Sequence, residues 1–244
     1  MRHPTAAIAR ARHLPEVLPA LRQAMRTSLT GRIDNWHGEY AYTLGEQAFI
    51  YGFPYIYNAQ LRHAWVTQRR NPETVPYAAV NHFWHAGRPI DAGYRDGGCP
   101  NNDTLYSVAW VHLRHEPVVL SHPDMADRYF TFELAAITSD NFDYVGQRTT
   151  GSRAGDFALV GPDWNGELPS RVRRLRTAPT PWVLILGRTL VNDKDDVANV
   201  RALQVRYRLT PLSMFGEPGA EALESRDVLE PVTAEQDPLG PGRP

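Results

Sequence analysis

Asp103, Tyr106 and Arg148 are the side chains of this chain whose types and spacing could do acid–base chemistry. Asp103 closes the run Pro100-Asn101-Asn102-Asp103, and Tyr106 follows it where a turn gives way to β-branched and aromatic residues. A carboxylate at the mouth of a buried strand finds partners or has its pKa pushed upward, which suits a general acid or base. The neighbouring phenol is then a proton donor. Arg148 lies in Gly146-Gln147-Arg148-Thr149-Thr150-Gly151, a tight loop whose arginine has the planar fork that grips a carboxylate, with Thr149 as a further donor. Asn101, Asn102, Tyr51, Tyr55 and His82 complete the candidate substrate contacts. Hydrolysis or rearrangement of a small molecule is the chemistry this set would serve.

Each residue also has a purely structural use. Asp103 and the two asparagines build local turns readily. Arg148 could form an ordinary salt bridge, to Asp103 or Asp156. Tyr51 and Tyr55 lie in a helical register where phenols serve as core residues. His82 and His85, like His112 and His115, are three apart, but the surrounding Pro and Gly residues argue against a helix, and a metal site is not expected. Cys99 is the single cysteine; it is either a small packed residue or a nucleophile with His82 or His112 as base. No flavin, nicotinamide or phosphate-loop fingerprint is present, so redox chemistry and a cofactor are not expected.

These side chains need a scaffold, and the spacing of apolar residues describes one. From Thr104 to Leu113 both faces of the segment are apolar, as in a central strand covered on both sides. Beyond it, short strands are expected over 117–120, 128–137, 141–147, 156–160, 171–176 and 181–191, divided by Gly-Pro and Pro-Asp turns. In the second of these Phe130, Phe132 and Leu134 share a face. The pattern predicts a mainly β, α+β protein: an antiparallel β-sandwich or jelly roll with N-terminal helices and a C-terminal helix packed on it. Residues 39–68 keep helical spacing, with Pro54 expected to divide them into two helical pieces. A further helix is expected from Asp193 to Arg206. The domain plan is an N-terminal helical extension over 1–35, one sandwich domain over 36–215 and a mobile polar tail over 216–244.

Several of these segments resemble one known family. Tyr51-Gly52-Phe53-Pro54, Asn81-His82-Phe83, Pro100-Asn-Asn-Asp-Thr-Leu-Tyr-Ser107, Arg128-Tyr129, Gly146-Gln-Arg-Thr-Thr-Gly151, Gly187-Arg188-Thr189 and Pro211-Leu212-Ser213 are similar to the bacterial domain-of-unknown-function family numbered 1254. The resemblance implies a β-rich fold and no settled reaction. It also implies a second domain, of the family numbered 1214, not found in this sequence and therefore expected in a separate polypeptide or dispensed with. An acidic residue near Ala136 is a further expectation from the resemblance, with Asp140 taking its place here.

Composition limits the partners. Of 244 residues 42% are hydrophobic, ample for a core, and the net charge is −1, so nucleic acid and anionic lipid are not expected to bind. No apolar run approaches a membrane span and no secretory signal opens the chain, so a soluble, cytoplasmic protein is expected. A small-molecule substrate is the expected partner. The alternative is a non-catalytic ligand-binding or assembly module that pairs with a separate partner domain or with itself.

Overall fold

The computed structural model describes residues 35–67, 76–94 and 100–217, together with Pro19 and Gln23. The expected N-terminal helix, Cys99 and nearly all of the expected polar tail lie outside the described residues. The chain divides into two compact units, Met1–Phe53 and Pro54–Pro244.

Two antiparallel-dominated sheets form the body. The first has the order β1-β2-β8-β4-β5, from Trp84–His85 (β1), Thr104–His112 (β2), Trp182–Leu190 (β8), Phe130–Ala136 (β4) and Asn141–Gly146 (β5). The second has the order β7-β6-β3-β9, from Arg173–Arg174 (β7), Gly155–Leu159 (β6), Val118–His122 (β3) and Arg208–Pro211 (β9). Every pairing is antiparallel except β6 with β7. The mainly β, two-sheet architecture expected from the alternation of apolar residues is therefore the architecture present.

The sheets face each other through Ala109, Val111, Phe130, Phe132, Leu134, Val183 and Ile185 on one side and Val118, Leu120, Phe157, Leu159 and Leu209 on the other. Burying each Phe or Ile contributes roughly 1.5–3 kcal/mol, so this layer dominates the stability. Gly187 is required within it: a Cβ there would lie 2.9 Å from the Phe132 ring and 2.9 Å from the Ser107 carbonyl oxygen. Alternate residues of β2 and β8, Tyr106, Val108, Trp110 and Trp182, Leu184, Leu186, point to the opposite face of the first sheet. That outer face is covered too.

The cover is the C-terminal part of a helix, Trp36–Thr67 (α1). Pro54 lies inside this helix, which continues through it where two pieces were expected. The ring removes one hydrogen bond, to the Ile50 carbonyl, and the helical ladder on either side outweighs that loss. Within the second unit, Asn58, Arg62, Trp65 and Val66 are buried. Asn58 Nδ2 donates to the Ile137 carbonyl at 2.9 Å and to Ser139 Oγ at 2.7 Å, and the Arg62 guanidinium lies 4.0 Å over the Trp182 ring. On either side of β1 the chain is tied to β2, by Asn81 N–H donating to the Trp110 carbonyl (2.8 Å) and Ala86 N–H to the Tyr106 carbonyl (2.8 Å). No described helix is long and apolar enough to cross a membrane.

The second helix, Val197–Gln204 (α2), starts later than its sequence pattern. The Asp193 carboxylate accepts from the amides of Asp195 (2.9 Å) and Asp196 (3.0 Å), fixing a turn where the helix was expected to begin. Asp196 in turn holds Arg128 in a bidentate pair, at 2.5 and 2.8 Å. That guanidinium, with the Asn192 amide, holds the Asp196 carboxyl well below the usual carboxylate range. Strand β9 follows directly where the sequence showed only a Pro-Leu-Ser motif.

Candidate functional site

A cavity with largely apolar walls lies on the outer face of the first sheet, under α1, and not in the mouth between the sheets. Its volume is about 270 Å³, close to the lower end of small-molecule sites, roughly 300 to 1,000 Å³. Helix α1 supplies Tyr57, Leu61 and Trp65, four residues apart and so on one face of the helix. The sheet supplies Trp84, Val108, Leu184 and Leu186. Pro76, Ile90, Tyr94 and Pro100 close the sides. Against these apolar walls stand two polar residues of the sheet, Tyr106 and Arg188.

Strand register explains why these two meet. Tyr106 of β2 pairs with Arg188 of β8, which pairs with Thr131 of β4, which pairs with Gly146 of β5. The Arg188 guanidinium lies 5.6 Å from the centroid of the Tyr106 ring, and its Nη1 donates to Glu133 Oε2 at 2.5 Å. Burial acts to lower the Arg188 pKa, but its bonds to Glu133 and Tyr106 outweigh that and hold it above its ordinary value. The cation is thus fixed and stays charged. Its side chain remains 27% exposed, partly into the cavity.

Arg188 and Glu133 were not among the residues singled out for chemistry, although their signal was in the sequence. Each is the one charge in its mainly apolar strand, Trp182–Leu190 and Phe130–Ala136. A charge so placed needs a partner or an opening, and these two have both. Glu133 is also the acidic residue that β4 contributes to this face, whereas Asp140 sits in the following turn, accepting from Thr138 at 2.8 Å.

The structure brings together some of the expected site residues and separates others. Tyr106 lines the cavity, and its hydroxyl accepts from the Asn101 amide at 2.9 Å. Asn101 Oδ1 accepts from Thr104 at 2.6 Å, so Asn101 fastens the turn to the phenol. Asn102 and Asp103 are exposed, and the Asp103 carbonyl accepts from Val191. Asp103 and Arg148 do not line a common cavity: Asp103 leads into β2, while Arg148 follows β5, with β8 and β4 between. The salt bridge of Arg148 to Asp103 or Asp156 is not formed. Asp156 accepts from Ser121 at 2.5 Å, and Arg148 lies 5.5 Å over the Tyr129 ring. Thr149 donates its hydroxyl to the Tyr144 carbonyl at 2.9 Å, so that proton is already in use. His82 Nδ1 lies 2.9 Å from the Val80 carbonyl and steadies its own loop. Tyr51 is 91% and Tyr55 52% exposed; Tyr57 is the α1 tyrosine that lines the cavity.

A second polar row occupies the inner face. His85 Nδ1 lies 2.9 Å from Ser107 Oγ, Gln204 Nε2 donates to the Tyr106 carbonyl (3.0 Å) and to Ser107 Oγ (3.2 Å), and Thr189 and Tyr207 share a 2.9 Å bond. Burial, helped by the charge of Arg208, lowers the His85 pKa to about 4, and burial pushes the Tyr207 phenol up to about 12. Both groups are therefore neutral at physiological pH. Ser107 has no solvent exposure, although its partner His85 is only half-buried.

Fold and cavity together define a two-sheet sandwich with a ligand-sized hollow on the helix-covered face of the larger sheet. The chain belongs to the family described as "Protein of unknown function (DUF1254)", whose profile matches residues 80–211, more than half of its length. The VPA0106 protein from Vibrio parahaemolyticus has a similar fold, at a TM-score of 0.60 and 24% identity over 78% of this chain. The chain spans 43% of that structure, less than half of it. An uncharacterized protein from Burkholderia cenocepacia matches 51% of the chain at 12% identity and a TM-score of 0.34, covering 34% of that protein. None of the curated proteins matches the chain.

Proposed function

We propose that the protein binds a small molecule with an apolar body and one anionic or polarised oxygen, and transforms it by acid–base chemistry, hydrolysis or rearrangement, in the outer-face cavity. The observation that carries this reading is Arg188, a charge held by Glu133 beside the Tyr106 phenol at one side of an apolar hollow. The apolar walls take the body of the ligand, and the guanidinium takes its oxygen. Tyr106 is the proton donor to that oxygen, and Arg188 stabilises the negative charge that develops on it. The base is proposed to be Asp103, which does not line the cavity but stands in the exposed turn whose Asn101 amide holds the Tyr106 hydroxyl.

Binding is tested with phenylacetate by calorimetry. The native protein takes it up, and Arg188→Met weakens uptake about tenfold or more; equal affinity in both proteins ends the reading. Chemistry is tested separately with phenylpyruvate in deuterated water. Exchange of its carbon-bound protons is faster with the native protein than with Tyr106→Phe or Asp103→Asn. Unchanged exchange in both variants leaves a binding protein and removes the enzyme.

A second reading rests on a different observation. In α1, Tyr40, Tyr42, Phe49, Ile50 and Tyr51 are each more than half exposed, and exposed apolar clusters mark association surfaces. We infer an assembly role in which this part of α1 meets a domain equivalent to the portion of the solved relative that this chain does not match. Sedimentation of the purified chain at micromolar concentration tests it. A concentration-independent monomer that binds no hydrophobic dye contradicts it, and self-association points to a second copy instead.

A further inference from the structure

Arg188 is the shared wall of two cavities. The outward row Tyr106, Arg188, Thr131, Gly146 crosses four neighbouring strands. The apolar hollow lies on the Tyr106 side of Arg188. On the Thr131 and Gly146 side lies a second cavity of about 360 Å³, lined by Tyr129, Thr131, Tyr144, Arg148 and Thr149 as well as Arg188.

The loop that carries Arg148 is fixed. The amides of Thr149, Thr150 and Gly151 all donate to the Gly146 carbonyl, at 3.0, 2.8 and 3.2 Å, and the Gly146 amide donates to Thr150 Oγ1 at 3.1 Å. Only glycine fits at Gly146, since a Cβ would lie 2.6 Å from the Phe130 carbonyl oxygen. Among the described residues no carboxylate lies within salt-bridge distance of Arg148; its guanidinium rests over the Tyr129 ring instead. The residues lining this cavity include two cations, Arg148 and Arg188, and no carboxylate; Glu133 is bonded to Arg188 alone. An uncompensated positive charge remains.

We propose that the second cavity is an anion subsite, and that the ligand class is a small apolar dianion bridging Arg188 and Arg148. The apolar body lies in the first hollow, one anionic group meets Arg188, and a second reaches Arg148 across β4. Two strand spacings, roughly 10 Å, separate the backbones of Arg188 and Gly146. Arg148 and Arg188 both line the second cavity, so a ligand with two carboxylates on adjacent carbons is the probe of the bridge. This inference rests on the reading of Arg188 given above.

The test compares phenylacetate with phenylsuccinate, which keeps the apolar ring and adds a second carboxylate. By calorimetry the native protein binds phenylsuccinate about tenfold more tightly. In Arg148→Gln, an exposed substitution that leaves the loop bonds intact, the ratio falls close to one. Arg201→Gln, at an exposed arginine of α2, is the control for total charge and keeps the ratio. A native ratio near one, or a ratio that survives Arg148→Gln, overturns the subsite while leaving the single-anion reading in place. A native protein that takes neither acid shows that the Arg188 reading itself has failed, and the subsite with it.

Discussion

The two faces of the five-stranded sheet carry polar residues at matching heights and use them in opposite ways. On the inner face, Ser107, His85, Thr189, Tyr207 and Gln204 are neutral and bonded to one another or to backbone, between the sheets. On the outer face, one register position away, Tyr106, Arg188 and Glu133 include two full charges and border a cavity. A neutral row can be sealed from water once its hydrogen bonds are made; a charged row is tolerated where solvent or a ligand still reaches it. The inner row therefore specifies the fold. The outer row is where a ligand can be recognised.

Adjacent residues of one strand put this contrast at greatest risk. Ile185 points inward and is fully buried, whereas Leu186 points outward and walls the cavity. Ile185→Ala is expected to cost about 3–5 kcal/mol, and Leu186→Ala about 1 kcal/mol, because its removed atoms already face open space. Equal losses in denaturant unfolding would mean that the two faces are packed alike. The tyrosines sharpen the same comparison at smaller cost. Tyr207→Phe strands the Thr189 hydroxyl in the core and is expected to lose about 1–2 kcal/mol. Tyr106→Phe, which removes a hydroxyl that accepts from an exposed amide and adjoins the partly exposed Arg188, is expected to lose less, about 0.5–1 kcal/mol.

A further contrast concerns pH. His85 has a folded pKa of about 4 against an ordinary 6.5, so between those values the unfolded chain binds the proton and the folded one does not. Stability is complete above about pH 6.5 and falls as pH drops toward 4. His122, also lowered by burial, acts in the same direction. His85→Gln is therefore expected to flatten, without abolishing, the loss of unfolding free energy between pH 7.5 and 5. An unchanged slope would mean that His85 titrates in the folded protein as it does in the unfolded chain.

How much of this was legible in the chain differs by element. The unbroken run of apolar residues in Thr104–His112 marks a strand covered on both sides, and β2 is buried on both faces. Phe130, Phe132 and Leu134 share a face by alternation, and all three are buried on the inner face. The two-residue strands β1 and β7 and the short β9 have no periodicity of their own; each is a strand because a longer neighbour supplies its hydrogen bonds. Pro54 has a strong local preference against the helix interior, yet α1 continues through it. At the site, Tyr106 is legible because it adjoins a turn, whereas Arg188 and Glu133 each read as an isolated charge in an apolar run until the strands are paired.

Sequence alone determined the class of fold, the family and which side chains share a face, since these follow from a two-residue period and from local turn chemistry. Only the tertiary structure decided that β8 lies between β2 and β4. That single adjacency sets Arg188 beside Tyr106 and Glu133 and keeps Asp103 away from Arg148. The physical reason is that pairing between strands some 50 to 80 residues apart is settled by the fit of whole sheets and their cover, which no local pattern encodes.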